Sequence, residues 1–305
     1  MIFINPKTDF AFKKIFGSEQ SHAILISFLN GILYNGESVI ADLTILNPYQ
    51  APRIRGVKDT YLDVKAQLVT GQTVIIEMQV LNVEGFEKRI LYNAAKAYSM
   101  QLDSGDRYTL LNPVIALTIT DFEMFSEFDA VISRFVLKEK EFLVEYPSCD
   151  LELVFVELPK FKLGLDQLDS LTEKWMYFLQ HTRELESIPA TMGIVPEIRQ
   201  AFEVANQANL SREELDELEH QLIFIQDQRG AIALATQQGL KQGLEQGLEQ
   251  GLEQGTRTTQ VAIAQNLFAM MEDAAISQTT GLSIEVVKQL RSRSTDNPVE
   301  NLAEP

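Results

Sequence analysis

Two short segments alternate apolar and polar residues: Leu62-Asp63-Val64-Lys65-Ala66-Gln67 and Val74-Ile75-Ile76-Glu77-Met78-Gln79-Val80. A period of two predicts half-buried strands. Asp63, Lys65 and Gln67 share the polar face of the first, and Glu77 and Gln79 that of the second. Thr70-Gly71 reads as the turn between them. A three-residue loop, Val69 to Gly71 with Gly71 left-handed, pairs Leu68 with Gln72. That register sets Asp63 directly opposite Glu77, about 5 Å apart at the β-carbons. A two-residue loop would oppose Asp63 to Met78 and break the face. Opposed like charges are unfavourable unless compensated, and a divalent cation is the obvious compensator.

The flanking pattern places this hairpin in a mixed fold. Phe12, Ile15, Phe16, Ile24, Leu25, Phe28, Leu29 and Ile32 recur at helical spacing, and Gly17-Ser18 divides them into two helices with Ser18 as a cap. Val39 to Leu46 reads as a strand and Pro48 to Gly56 as a loop. Phe86 to Leu102 reads as a helix. Tyr108 to Thr120 is a buried strand that tolerates Pro113 only near its start or at an edge. The order is α-β-β-β-α-β. Phe128 to Tyr146 predicts a further hairpin turning near Lys138 to Lys140, and Leu151 to Leu158 another strand.

From Asp166 the pattern becomes helical. Leu168, Leu171, Trp175, Phe178 and Leu179 form one stripe, and Tyr98 and Trp175 read as core. Ser211 with Glu214 is a capping box opening a helix toward Leu234. Its stripe of Leu215, Leu218, Leu222 and Ile225 suits a core or a dimer seam. Residues 239–255 repeat Gly-Leu-Lys/Glu-Gln. Five glycines at about 1 kcal/mol each, and glutamates four apart, make this a weak helix on its own. The expectation is a helix continuous with its upstream neighbour, acting as a spacer or a Gly/Leu seam between copies. Val261 to Met271 is amphipathic. Ile276 to Leu290, with a Gly281 turn and Ser283 cap, outlines a helix-turn-helix, which fits a small packing module better than a DNA reader. Residues 291–305 read as disordered.

Composition narrows the classes. The chain has 305 residues and is 45% hydrophobic, enough for a real core. Its one cysteine, Cys149, excludes an internal disulfide and suits a reducing cytoplasm. No signal-like or membrane-spanning run is present. His22, His181 and His220 are too scattered for a His/Cys zinc site. The net charge of −17 argues against nucleic acid until it is divided. Residues 1–110 hold 11 Lys and Arg against 11 Asp and Glu, whereas residues 111–305 hold 15 against 32. The hairpin's half is neutral. Lys7, Lys13, Lys14, Arg53, Arg55, Lys58, Lys88 and Arg89 lie there, as ordinary surface charge or as phosphate contacts.

A strand Asp followed fourteen residues later by Glu-x-Gln resembles the PD-(D/E)xK nuclease superfamily. Thr8 to Gly17 (Thr-Asp-Phe-Ala-Phe-Lys-Lys-Ile-Phe-Gly), Leu62-Asp63-Val64, Ile76-Glu77-Met78-Gln79, Arg89 with Tyr92, and Gly105-Asp106-Arg107-Tyr108 more closely resemble its recombination-promoting nuclease (Rpn) and transposase family. The likeness spans residues 1–122, and the repeat before a helical tail also fits. It implies an α/β fold: an αβββαβ nuclease core with a mixed central sheet, followed by an α-helical C-terminal region. The divisions expected are 1–165 nuclease, 166–238 acidic helical region, 239–256 repeat and 257–305 helical tail.

The activity implied is metal-dependent cleavage of DNA phosphodiesters, with a role in recombination. By matching position, Asp63 and Glu77 would be metal ligands, with the Met78 carbonyl a third, for Mg²⁺ or for Mn²⁺ or Ca²⁺. Asp9 would orient the attacking water, or serve only as an acid favouring a helix N-terminus. Gln79 departs from the superfamily lysine but agrees with the Rpn-like pattern. It can hydrogen-bond water or phosphate but cannot act as a base near neutral pH. Lys65 would stand in for the missing charge, or be a solvated strand residue. Lys65, Arg89 and Lys13 are the candidate phosphate contacts. DNA and a second copy, joined through the helical region in a homodimer or larger assembly, are the expected partners. Two rival classes stay open: a catalytically inactive relative that binds DNA or protein, and an assembly protein working through its acidic helices.

Overall fold

The structure, a computed structural model, describes residues 1–50 and 60–296. Arg53, Arg55, Lys58 and the end of the tail therefore lie outside the described residues. Helices α1 (Asp9–Phe16) and α2 (His22–Tyr34) come first. The Thr8 side chain caps α1 by accepting from the Ala11 N–H, whereas Ser18 starts only a short 3₁₀ turn and makes no capping bond. The strand expected over 39–46 is shorter, β1 (Leu43–Leu46), because the buried Asn30 side chain takes the backbone groups of Val39 and Ile40. β2 (Tyr49–Gln50) and β3 (Thr60–Tyr61) pair as a small antiparallel ribbon, with the Tyr49 and Tyr61 ring centroids 4.8 Å apart.

The hairpin follows as β4 (Val64–Leu68) and β5 (Thr73–Gln79), in the register the alternation predicts. Val64 pairs with Ile76 and Gln67 with Thr73, and the Leu68 N–H reaches the Gln72 carbonyl at 2.9 Å. Gly71 closes the three-residue loop at φ +91°. Next come α3 (Phe86–Ser99), β6 (Val114–Thr120), β7 (Ile132–Phe135) and β8 (Leu151–Glu157). Among the described residues the main sheet runs β1-β4-β5-β6-β8-β7, with β5-β6 and β6-β8 parallel and the remaining pairs antiparallel. This is the expected mixed α/β core.

Two expectations are corrected. The second hairpin segment does not stand half-open, because β5 has a strand on each side and a helical layer on each face. Val74 and Ile76 join α1 and α2 in the main core, while Ile75 packs with Ala94 and Ala97 of α3. The hairpin expected over 128–146 also pairs differently. β7 runs antiparallel to β8, and the expected turn closes only a small separate hairpin, in which the Tyr146 N–H donates to the Leu137 carbonyl at 2.9 Å and the Glu139 N–H to the Val144 carbonyl at 2.8 Å around the Lys138–Glu145 bridge.

Helices α4 (Leu171–His181), α5 (Ala190–Gly193) and α6 (Pro196–Val204) share the sheet's core through Trp175, Phe178, Ile198 and Phe202. The boundary expected at 165 is therefore not a packing boundary: the first compact unit is Met1–Arg229. Helix α7 (Arg212–Leu267) opens with the Ser211–Glu214 capping box and runs through the whole repeat. The second unit, Gly230–Pro305, holds the rest of α7 with α8 (Asp273–Thr280) and α9 (Ile284–Asp296), which pack through Ala264, Ile276, Leu282 and Val287. No helix among the described residues is long and apolar enough to cross a membrane.

Gly71 has a measurable consequence. A β-carbon there would lie 2.5 Å from the Asn112 side-chain oxygen, on a backbone that already favours glycine. Gly105, at φ +97°, would meet nothing within 4 Å. Gly71→Ala should cost roughly 2–4 kcal/mol and Gly105→Ala about 1–2 kcal/mol. Equal shifts in a urea titration would contradict the close approach to Asn112. The repeat should behave oppositely. Leu240, Leu244, Leu248 and Leu252 are exposed, and a β-carbon on each repeat glycine would meet nothing within 4 Å. Deleting residues 245–248 shortens the helix by about 6 Å, and calorimetry should find melting of the Met1–Arg229 unit unchanged. A drop of many degrees would make the repeat part of the folded core.

Candidate active site

The β4–β5 ladder ends at the Val64–Ile76 pair, and Asp63 sits in a bend just before β4, so the two carboxylates lie at the same end of the hairpin without sharing the one face that the alternation predicts. Each carboxylate is then handled by a different helix. Asp63 accepts the Met78 backbone N–H at 2.7 Å and shares a proton with Asp9 of α1. Lys13, one turn along α1, lies 2.7 Å from Asp9 and 3.6 Å from Asp63. Asp9 thus faces the hairpin rather than merely starting a helix. Burial, then the hydrogen bond to Asp9, pushes the Asp63 carboxyl up to about 8 against the pull of the Met78 N–H and Lys13. Burial acts on Asp9 too, but its bonds to Asp63 and Lys13 outweigh it and hold it below the usual range.

Glu77 turns to α3. It is only 9% exposed, accepts from the Asn93 amide, and lies 3.8 Å from the Arg89 Nε. Burial raises its pKa, with Asn93 and Arg89 opposing. Gln79 fixes the arginine: its Oε1 accepts from the Arg89 Nη2 at 2.6 Å, and its Nε2 donates to the Leu81 carbonyl at 2.7 Å. The guanidinium also covers the Phe86 ring. The Tyr92 ring has the Lys96 Nζ 6.0 Å from its centroid and lines a pocket together with Arg89. Lys65 is half-buried, makes no hydrogen bond or ion pair among the described residues, and has its pKa lowered by burial. It stands on the Glu77 face of the sheet but not in contact with it.

The like charges are therefore offset by the chain itself, by a shared proton and Lys13 on one side and by Asn93 and Arg89 on the other. The expected compensator, a divalent cation, is thus not the one source of compensation at this site. Sequence reasoning missed Asn93. Its signal was a polar residue four positions after Arg89, on the helix face that covers the sheet.

A hard cation fits the donor set. Asp63 and Glu77 offer carboxylate oxygens and Met78 a backbone carbonyl, the ligand type Mg²⁺ prefers while keeping several waters. The Asn93 Oδ1 is buried without a hydrogen-bond partner beside Glu77, an oxygen that a hydrated cation would satisfy. Among the described residues no three His, Cys, Asp or Glu side chains form a ready cage, so water or substrate would complete any shell.

The model of the family described as PD-(D/E)XK nuclease family transposase matches residues 6–235. The chain belongs to that family. The match takes in α1, the hairpin, α3, the whole main sheet and the helices packed on it, so membership covers the fold and not the hairpin alone. No curated protein and no solved structure matches the chain.

The Asp9–Asp63 pair gives this family member a signed pH dependence. The folded pKa of Asp63 lies above its ordinary 3.8, so between about 4 and about 8 the folded state binds more protons than the unfolded one. The contribution of Asp63 to stability must fall as pH rises through that window and level off above it. Asp63→Asn mimics the protonated acid, since its amide can donate to Asp9 while its oxygen accepts from Met78. In EDTA, Asp63→Asn should melt higher than wild type at pH 8, with the difference shrinking toward pH 4. A variant that melts lower at pH 8 would refute the shared proton.

Proposed function

We propose that the chain is a divalent-metal-dependent DNA endonuclease acting at the Asp63–Glu77 edge. The observation that carries this reading is that Asp63, just before β4, accepts the backbone N–H of Met78, the residue after Glu77 on β5, so that two carboxylates stand at one end of the hairpin in a PD-(D/E)XK family sheet. Asp63, Glu77 and the Met78 carbonyl would hold the cation. When bound, Mg²⁺ or Mn²⁺ supplies polarisation of the phosphoryl oxygen and a lowered pKa for water. Asp9, tied to Lys13, would orient the attacking water. Arg89 supplies the positive charge that the superfamily takes from lysine. Gln79 aims it, which gives the glutamine a positioning role. Lys13 and Lys65 are further phosphate contacts. Recombination, a cytoplasmic setting, and assembly of two or more copies through the helical region belong to the same proposal. The exposed leucines of α7 support the last.

A second reading has one observation in its favour. Gln79 carries no charge, so a catalytically weak relative that binds DNA or protein fits the same fold. Plasmid nicking separates the two. Purified protein should cut with Mg²⁺ or Mn²⁺ and not with EDTA, and Asp63→Ala and Glu77→Ala should each abolish cutting while remaining folded. Arg89→Ala should lower single-turnover cleavage by about ten- to a hundred-fold, the worth of one charge-assisted contact. Gln79→Ala should lower it less. Undiminished cutting by the Asp63/Glu77 double variant would overturn the endonuclease reading, and metal-dependent binding without cutting would favour the second.

A further inference from the structure

A second group of charged side chains lies at the end of the sheet where β5 and β6 finish. It lines a pocket of about 270 Å³ within the Met1–Arg229 unit. Lys7 enters from the segment before α1, Arg183 from the turn after α4, and Arg229 from α7. The one acidic residue lining it, Asp121, follows β6. Its Oδ1 lies 2.8 Å from the Lys7 Nζ and its Oδ2 2.8 Å from the Arg229 Nη2. The Arg183 guanidinium makes no hydrogen bond or ion pair among the described residues.

Three cations thus surround one carboxylate. The cationic side chains carry thirteen N–H donors, and only two meet a partner in the bonds to Asp121. Asn5 and Gln226 add amides to the wall. This surplus of charge and donors matches a tetrahedral oxyanion better than a cation or an apolar ligand. It is also out of keeping with a chain of net charge −17. The pocket adjoins the candidate active site. Val80 in its wall follows Gln79, and the Asp121 N–H donates to the Gln79 carbonyl at 3.0 Å.

We infer that this pocket holds a phosphate of the polynucleotide backbone other than the one cleaved, and so fixes how the strand crosses the sheet edge. Asp121 prearranges Lys7 and Arg229, and Arg183 completes the site when the phosphate arrives. The inference rests on the nucleic-acid reading of the adjoining edge but not on catalysis.

The test is binding of a short DNA duplex to the full chain in EDTA, across a range of salt. Arg183→Gln with Arg229→Gln should weaken binding about tenfold and flatten the plot of log K against log salt by about one, the yield of one lost phosphate contact. Removing the same charge with Arg107→Gln and Lys140→Gln, exposed residues outside the pocket, should change neither. Equal effects from both pairs would mean bulk charge and overturn the pocket, as would an unchanged slope or wild type that binds no DNA. Should the pocket double variant melt early, Arg183→Gln alone carries the test, because that side chain makes no internal bond. Inorganic phosphate titrated at constant ionic strength covers the other source of the same chemistry. Tight saturation by phosphate alone would make this a small-anion site and overturn the backbone assignment. Loss of cleavage with pocket-dependent binding intact would indict the catalytic reading and leave this one standing.

Discussion

Everything at the candidate site depends on the register of one antiparallel strand pair. Leu68 opposite Gln72 leads to the Val64–Ile76 pair at the end of the ladder, which leaves Asp63 beside the end of β5 with the Met78 N–H 2.7 Å from its carboxylate. A slip of one residue would send Asp63 to Met78 and turn every core side chain of β4 to the opposite face. The register is held at the turn by Gly71, packed against Asn112, and along the strand by Val64 and Ala66 in the main core. The same contacts that fold the sheet therefore set the chemistry.

The two carboxylates lie at the same end of the hairpin but belong to different layers. Asp63 is governed by α1 through Asp9 and Lys13, and Glu77 by α3 through Asn93 and Arg89. Each is neutralised locally, so the fold does not require a cation. A cation would instead displace a proton from the Asp9–Asp63 pair and relieve the buried oxygen of Asn93. Such an arrangement can be empty and stable, yet ready. The family to which the chain belongs is described as PD-(D/E)XK nuclease family transposase, and under the proposed function Arg89 held by Gln79 would supply the charge of the usual strand lysine.

Much of this was legible in the sequence because it is local. Alternation and a glycine turn specify the hairpin and its loop length, whereas the bend that turns Asp63 toward α1 depends on packing against Asp9 and Lys13. The α1–α2 break at Gly17, the Ser211 cap and the continuous repeat helix are local as well. What could not be read depends on distant packing. The partner of β7 is decided by β8's buried face, and β5's burial by α3 lying over it. The seam between sheet and later helices is hidden because Trp175 and Phe202 look the same in any helical core. Asn93 was missed because its role exists only once α3 covers Glu77. The pocket of Lys7, Arg183 and Arg229 joins residues more than two hundred positions apart in the chain.

The central claim is that Asp63 and Glu77, though served by different helices, form one cation site. Counting free Mn²⁺ by electron paramagnetic resonance while titrating the protein tests it most directly. The account predicts one Mn²⁺ bound per chain in wild type, and loss of that binding in both Asp63→Asn and Glu77→Gln. Binding that survives either substitution undiminished would mean that the two carboxylates do not act together, and would contradict the account.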